Sequence, residues 1–160
     1  MSGRMGEMGL EEYTSAVDCG EYPASPLVPN GGEFKNENGV IRNLLFKSVR
    51  SVAIIDSKKG SIRSNHYHKT DWHYLYVLSG DVMYMWRRAG SESTPSRLIV
   101  HEGSMFFTPP GVEHAVLSLS DSRLISLARN ARTHEAHEAD VVRVNFLDRE
   151  TADGLVRTYG

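Results

Sequence analysis

The feature that most limits the fold of this chain is a succession of short apolar or alternating segments. Each segment has the length of a β-strand, and Val, Ile, Tyr and Phe are frequent in them. Turn signals at residues 56–60, 79–81 and 109–111 separate several of them. Evenly spaced segments of this kind predict an all-β sandwich or barrel. The predicted strands are residues 40–46, 51–55, 62–67, 72–78, 82–87, 97–100, 105–107, 115–119 and 123–127.

The flanking segments are predicted to be less regular. Prolines and a glycine pair interrupt residues 1–35, which we expect to form an irregular N-terminal arm wrapped over the fold. A chain of 160 residues supplies one core and not two, so we assign residues 36–148 to a single domain and 149–160 to a C-terminal tail. Residues 131–139 have helical propensity but few apolar side chains, and at most one solvated helical turn is expected there.

Composition excludes several functional classes. The chain carries 18 Lys and Arg against 20 Asp and Glu, mixed along its length, so no nucleic acid is expected as a partner. No run of about 18 apolar residues and no signal peptide occurs, so no membrane contact is expected. Cys19 is the only cysteine, which rules out an intrachain disulfide and favours a cytoplasmic location.

The histidines are concentrated in two short segments. His66 and His68 are two residues apart in a predicted strand, so they point to the same face, and His73 opens the next strand, where it can meet them. In the second segment, the turn at residues 109–111 reverses the chain just before His114. We therefore predict that these four histidines converge within one pocket.

The two segments together resemble the two sequence motifs of the cupin superfamily. The resemblance implies a double-stranded β-helix, or jelly-roll barrel, and a metal site in which His66, His68 and His114 take the three histidine positions of the family. His73 falls where the family usually has glutamate. Four imidazoles suit a divalent ion such as zinc, iron, nickel or manganese. With no carboxylate ligand, the ion would keep its full charge and favour an anionic or enolate-like oxygen.

A narrower resemblance lies within the first segment. Residues 60–70 resemble the Arg-x-x-His-x-His-Lys stretch of small nucleotide-sugar ketoisomerases and epimerases, the RmlC-like cupins. That resemblance implies His66 and His68 as the acid and base acting on the carbonyl of a nucleotide-linked keto-sugar, without any metal, and it competes with the metal site. We assign Arg63, Lys69 and Tyr84 to substrate binding, because arginine binds phosphate groups well. The resemblance to the 3,5-epimerases also implies a tyrosine acid, and the candidates Tyr67, Tyr74, Tyr76 and Tyr84 are not ranked by the sequence.

Two other functions stay open. An all-histidine site also resembles those of metal-dependent dioxygenases, and a non-catalytic sugar-binding or sensor module needs no chemistry at all. Cupins support many reactions, so the fold does not decide among them.

Three further expectations concern surfaces. We expect a homodimer, because small jelly rolls leave sheet edges exposed and the arm can cross to a partner. Met83 and Met85 lie in a strand that is apolar on both sides, which predicts that another subunit or the arm covers one side. His101, His134 and His137 fall outside the motifs and are interpreted as surface residues.

Overall fold

Two five-stranded β-sheets form the body of the protein in the computed structural model, which describes residues 22–160. Sheet I has the strand order β1-β9-β6-β11-β4, sheet II has the order β12-β5-β10-β7-β8, and β2 and β3 form a separate hairpin. The strands are β1 (Leu27–Val28), β2 (Gly32–Asn36), β3 (Gly39–Asn43), β4 (Ser51–Ser57), β5 (Ile62–His68), β6 (His73–Ser79), β7 (Val82–Arg88), β8 (Ser96–Val100), β9 (Met105–Thr108), β10 (Val112–Ser118), β11 (Ser122–Ala128) and β12 (Val141–Arg143). The helices are α1 (His134–Asp140) and α2 (Arg149–Tyr159).

From β4 onward, successive strands alternate between the two sheets, except that β7 and β8 are neighbours in sheet II. Strands β4, β6, β9 and β11 belong to sheet I, whereas β5, β7, β10 and β12 belong to sheet II, and the paired strands are antiparallel. This winding is a jelly roll, and it confirms the predicted all-β, double-stranded β-helical fold. Strand β10 begins three residues earlier than predicted, directly after a left-handed Gly111 (φ 73°), so His114 lies within the strand and not in the turn.

The inner faces of the two sheets enclose the main core. Its largest buried side chains include Tyr84 and Trp86 from sheet II and Phe106 from sheet I, and the Tyr84 ring stacks on Trp86 with 5.0 Å between centroids. Alternation along β7 places Tyr84 and Trp86 inward and Met83 and Met85 outward. The core therefore fills the space between the sheets next to β7, and the histidines of β5 and β10 lie beside this packed region.

The outer face of sheet II is covered by the C-terminal part of the same chain. Met83 and Met85 pack in a second buried cluster with Leu147 and with Ala152 of α2. The Asp148 side chain caps α2 by accepting a hydrogen bond from a backbone N–H in its first turn. The expectation that another subunit or the N-terminal arm covers these methionines is wrong, because the segment assigned to a tail folds as an amphipathic helix on top of them.

The outer face of sheet I is only partly covered. Strand β1 pairs with β9, the ring of Tyr22 lies 5.5 Å from that of Phe107, and Arg42 of the hairpin donates a hydrogen bond to the Tyr76 hydroxyl at 3.1 Å. Residues 22–43 thus lie on sheet I, while residues 1–21 of the predicted arm lie outside the described residues. Neither helix within residues 22–160 has the length and apolar content needed to span a bilayer.

Candidate active site

Four histidines meet between the sheets, near the end of the barrel that α1 covers. His66 and His68 come from β5, His114 from β10 and His73 from the first residue of β6. Ring centroids are 4.7 Å apart for His66 and His68, 4.9 Å for His66 and His114, and 5.2 Å for His73 and His114. The structure brings together all four residues that the sequence predicted to converge, and three of them are buried.

A bulge in β5 shapes the approach to His66. Ser64 and Asn65 have left-handed backbone conformations, with φ values of 70° and 60°, which are uncommon for residues other than glycine. The Asn65 amide donates a hydrogen bond to the Leu147 carbonyl at 2.8 Å, and its carbonyl oxygen accepts one from the Leu147 N–H at 3.2 Å. The segment that leads into α2 therefore holds the bulge in place.

The bulge also decides where Arg63 points. In the ladder with β10, His66 pairs with His114 and Arg63 pairs with Val116, so both β5 residues lie opposite inward-facing partners. An odd separation of three residues would place Arg63 and His66 on opposite faces of a regular strand. Arg63 is therefore among the residues that line the cavity, although it is exposed overall: its guanidinium donates hydrogen bonds to the Ser57 hydroxyl at 3.0 Å and to the Asp56 carbonyl at 2.8 Å.

His68 and His114 are held in the same tautomer by their neighbours. Nδ1 of His68 lies 3.0 Å from an Asp140 carboxylate oxygen, and Nδ1 of His114 lies 2.9 Å from the Val112 carbonyl oxygen. Both neighbours only accept hydrogen bonds, so the ring proton is on Nδ1 and the lone pair is on Nε2. Both Nε2 atoms are buried and have no hydrogen-bond partner within residues 22–160.

The donor set fits a divalent cation. His66, His68 and His114 each offer one ring nitrogen, and these three nitrogens lie within 4.8 Å of one another. Imidazole nitrogen is a good ligand for zinc, iron and nickel. The Asp140 carboxylate behind His68 resembles the carboxylate–histidine arrangement that orients metal ligands in other proteins. These residues could therefore hold the predicted ion.

Burial keeps the site histidines neutral. It is the main cause that lowers the pKa of His66 and of His114 to about 3, and in His66 the neighbouring His114 adds to the effect. The pKa of His68 falls to about 4, mainly through burial and the charge of His66, although Asp140 opposes the shift. At neutral pH these rings present lone pairs, which is the form that binds a metal or accepts a proton.

Two site residues have no signal in the sequence motifs. Arg132, in the loop between β11 and α1, donates a hydrogen bond from Nη2 to Nδ1 of His73 at 3.3 Å. His137 of α1 is half-buried, with its ring centroid 6.0 Å from that of His66 and 5.8 Å from that of His68. The interpretation of His137 as a surface residue is wrong, because α1 is longer than one turn and carries this side chain over the pocket.

Two predicted substrate-binding residues lie elsewhere. Lys69 is exposed, and its Nζ donates a hydrogen bond to the Ala139 carbonyl at 2.9 Å. Tyr84 is 0% exposed in the main core, where its hydroxyl oxygen accepts a hydrogen bond from Thr108 at 3.1 Å, and burial raises its pKa. The structure thus corrects the assignment of Tyr84: it packs behind His114, at 6.4 Å between ring centroids, and supports that ring from within the core.

The interior cavity beside the histidines is small. Its volume is about 50 Å³, and its polar lining comes from Arg63, Ser64, His66, His73 and Arg132. Pockets that enclose a whole drug-sized ligand measure roughly 300–1,000 Å³. Only a small group can therefore enter this cavity, and the rest of a larger ligand would have to remain outside it.

Comparison with known families identifies the segment that carries these histidines. Residues 53–128 match the model of the Cupin domain family. The chain contains a cupin domain. The match extends from β4 through β11 and includes all four converging histidines, whereas Arg132, His137 and Asp140 follow it in the chain. A search of curated proteins finds no match.

Solved structures share the cupin fold at low sequence identity. The chain is similar to dTDP-4-dehydrorhamnose 3,5-epimerase from Sulfolobus tokodaii (17% identity, 78% of this chain and 86% of that one, TM-score 0.57). It is also similar to a 3,4-ketoisomerase from Helicobacter canadensis (15% identity, 80% and 94%, TM-score 0.60). A third is a 3'-monoepimerase from Streptomyces bikiniensis in complex with dTDP-quinovose (18% identity, 75% and 69%, TM-score 0.60). At these identities the similarity establishes the fold.

Proposed function

We propose that this cupin is an isomerase or epimerase of a nucleotide-linked keto-sugar. The observation that carries the proposal is the pair of His68 and Asp140: it holds an oriented, neutral imidazole whose buried Nε2 has no hydrogen-bond partner within residues 22–160 and lies among the other histidines between the sheets. The Arg-x-x-His-x-His-Lys segment on β5 and the similar structures, whose names describe sugar epimerases and ketoisomerases, support the same substrate class.

The reaction needs a base that removes a proton from the carbon next to a carbonyl. Nε2 of His68 accepts that proton, and the Asp140 carboxylate, 3.0 Å from Nδ1, stabilises the imidazolium that forms. In an isomerase, the same imidazolium then returns the proton to the neighbouring carbon. In an epimerase, a second acid has to deliver a proton to the opposite face of the enolate, and the proton held by His68 is released to solvent. His66, whose ring centroid is 4.7 Å away, transfers the oxygen-bound proton between adjacent oxygens in the isomerase.

His66, His68 and His114 are the residues that would hold a divalent ion. When bound, such an ion would polarise the carbonyl and stabilise negative charge on its oxygen. The Nε2 lone pair of His68 can serve either as a ligand or as the proton acceptor, but not both at once. Elemental analysis of the purified protein therefore separates the two versions of the mechanism.

The test is proton exchange in deuterated water. Purified protein, with and without chelator treatment, is incubated with TDP-4-keto-6-deoxyglucose, and deuterium incorporation is followed by NMR. Incorporation at a carbon next to the carbonyl supports the proposal, and persistence after chelation assigns the proton transfer to the histidines alone. A lack of incorporation under every metal condition, with the protein folded, would eliminate the isomerase.

A metal-dependent dioxygenase is the second candidate. It is favoured by one observation: the three convergent ligands are all neutral imidazoles, with no carboxylate among them. Stoichiometric iron together with oxygen uptake would support it. Tight binding of a sugar nucleotide with neither exchange nor oxygen uptake would instead indicate a non-catalytic binding module.

We further propose that the protein acts as a cytoplasmic homodimer. On the outer face of sheet I, Val52 and Ile54 of β4 are 64% and 66% exposed, and β4 is an edge strand. Exposed apolar side chains on an edge strand favour pairing with a second copy. Light scattering at micromolar concentration tests the proposal, and a mass of 17.9 kDa for the whole population would contradict it.

A further inference from the structure

The histidine that occupies the usual glutamate position has a different environment from the other three. His73 is buried, and the group facing its Nδ1 is the Arg132 guanidinium at 3.3 Å. Arg132 is itself mostly buried; its Nε lies 3.9 Å from an Asp71 carboxylate oxygen and has no hydrogen-bond partner within residues 22–160. A cation therefore stands behind this histidine, whereas a carboxylate stands behind His68.

This neighbour fixes the position of the ring proton. A guanidinium group only donates hydrogen bonds, so Nδ1 of His73 accepts and the proton of the neutral ring is on Nε2. In His68 and His114 the arrangement is reversed, because acceptors face Nδ1 and the lone pair is on Nε2. An N–H group has no lone pair to give to a metal. His73 is therefore a hydrogen-bond donor in a pocket whose other histidines present acceptors.

The surroundings favour an anionic oxygen as the acceptor of that hydrogen bond. His73 and Arg132 line the 50 Å³ cavity together with Arg63, and no carboxylate is among the residues that line it. The His73 ring is buried and the Arg132 guanidinium lies 3.3 Å from its Nδ1, an arrangement that disfavours a second positive charge on the ring. A neutral imidazole can stabilise an enolate oxygen by donating a hydrogen bond to it.

We propose that His73 and Arg132 form an oxyanion-binding pair that receives the carbonyl oxygen of the substrate and stabilises it as an enolate. His73 donates Nε2–H to that oxygen, and Arg132 fixes the tautomer and supplies positive charge. The proposal rests on the proposed keto-sugar chemistry for the identity of the oxygen. It also replaces the predicted four-histidine metal site by one in which only His66, His68 and His114 are ligands.

The first test reads the tautomer directly. In protein labelled with ¹⁵N-histidine and treated with chelator, two-bond ¹H–¹⁵N spectra report which ring nitrogen carries the proton. We expect protonated Nε2 in His73 and protonated Nδ1 in His68 and His114. Added zinc should shift the Nε2 resonances of the latter two and leave the protonation of His73 unchanged. A proton on Nδ1 of His73, or a zinc-induced loss of its Nε2–H, would overturn the proposal.

The second test uses formate as a small oxyanion probe. In chelator-treated protein we expect a saturable shift of the His73 Nε2–H resonance with added formate. Affinity should fall at least about tenfold in Arg132→Met, recover partly in Arg132→Lys, and stay unchanged in Arg129→Met, an exposed arginine nearby. No response of His73 to formate in the unsubstituted protein would also overturn the proposal.

The two proposals fail separately. The tautomer, zinc and formate measurements are made on the unsubstituted protein. They therefore test the oxyanion-binding pair even if Arg132→Met does not fold. Absence of deuterium exchange with the correct tautomer and formate response would count against keto-sugar chemistry and leave the oxyanion-binding pair standing.

Discussion

The two sheets of the barrel contribute opposite chemistry to the same pocket. Sheet II provides His66, His68 and His114, the ring nitrogens that lie within 4.8 Å of one another. Sheet I provides His73, and the loop after its strand β11 provides Arg132. One wall thus presents lone pairs to a cation or an acidic proton, while the facing wall presents N–H groups to an oxygen.

The outer faces of the sheets differ as well. Helix α2 covers sheet II and encloses Met83 at 1% exposure, whereas Val52 on the outer face of sheet I is 64% exposed. The wall with three convergent nitrogens is therefore supported from behind by packed structure. The sheet that carries His66, His68 and His114 is therefore packed on both faces, whereas the outer face of sheet I keeps exposed apolar side chains.

The largest effect is expected from His68→Asn on sheet II. This change keeps size and polarity but removes the imidazole, so the exchange rate of the keto-sugar should fall on the order of 10²- to 10⁴-fold. Deuterium incorporation, metal content and melting temperature are recorded together. His134→Asn, on the exposed side of α1, is the matched control. Unchanged exchange in His68→Asn, with metal retained, would remove this residue from the mechanism.

The difference in outer-face packing can be tested with one variant on each sheet. Met83→Ala removes a fully buried side chain and should lower the free energy of unfolding by about 2–5 kcal/mol. Val52→Ala removes a mostly exposed one and should change it by less than about 0.5 kcal/mol in the monomer. Denaturant unfolding measures both. Equal costs for the two variants would mean that sheet I is covered as fully as sheet II.

A smaller effect is expected from Asp140→Asn, which alters the support of His68. The amide can donate as well as accept, so it no longer holds the ring proton on Nδ1. Loss of such an outer partner typically lowers metal affinity about 10- to 100-fold. Titration with zinc against a competing chelator measures it, and Asp153→Asn on α2 serves as the control. An unchanged affinity would show that the hydrogen bond at 3.0 Å does not orient the ligand.

The smallest effect is expected in the dependence of stability on pH. Unfolded histidine has a pKa of about 6.5, so the lowered values of about 3 for His66 and about 4 for His68 mean that the folded chain binds fewer protons between these limits. Stability should be fully present above about pH 6.5 and should decline as the pH falls toward 4. Melting temperatures of chelator-treated protein measure this, and His66→Gln should flatten the slope while His134→Gln should not. A melting temperature independent of pH across this window would contradict the buried, neutral state.

Much of the fold follows from local sequence signals. Alternation and turn residues predicted the strands from β4 to β11 closely, because each is bounded by glycine, proline or short polar runs. The same signals missed α2, because it has few apolar side chains. Their role is clear only in the structure, where this helix packs on Met83 and Met85. A strand that is apolar on both faces predicts that something packs there, but not which segment does.

The site was predictable only in part, for a similar reason. Spacing along β5 and the turn before β10 predicted that the histidines converge. The partners that give each ring its role come from distant segments: Asp140 lies 72 residues after His68, and Arg132 lies 59 residues after His73. Sequence periodicity also cannot reveal the bulge at Asn65. Only the observed pairing of β5 with β10 shows that Arg63 and His66 lie on the same face of the sheet.

The anchoring of Asn65 by Leu147, 82 residues later in the chain, has a consequence for biosynthesis. Because chains emerge from the ribosome with the N-terminal part first, β5 leaves the ribosome well before the segment that holds its bulge has been made. During that interval His66 and His68 are hydrated, and their pKa values are those of ordinary peptide histidines, near 6.5. The pocket therefore forms late in synthesis. Its histidines acquire their buried, neutral state only once residues 140–147 have been translated and have packed against β5.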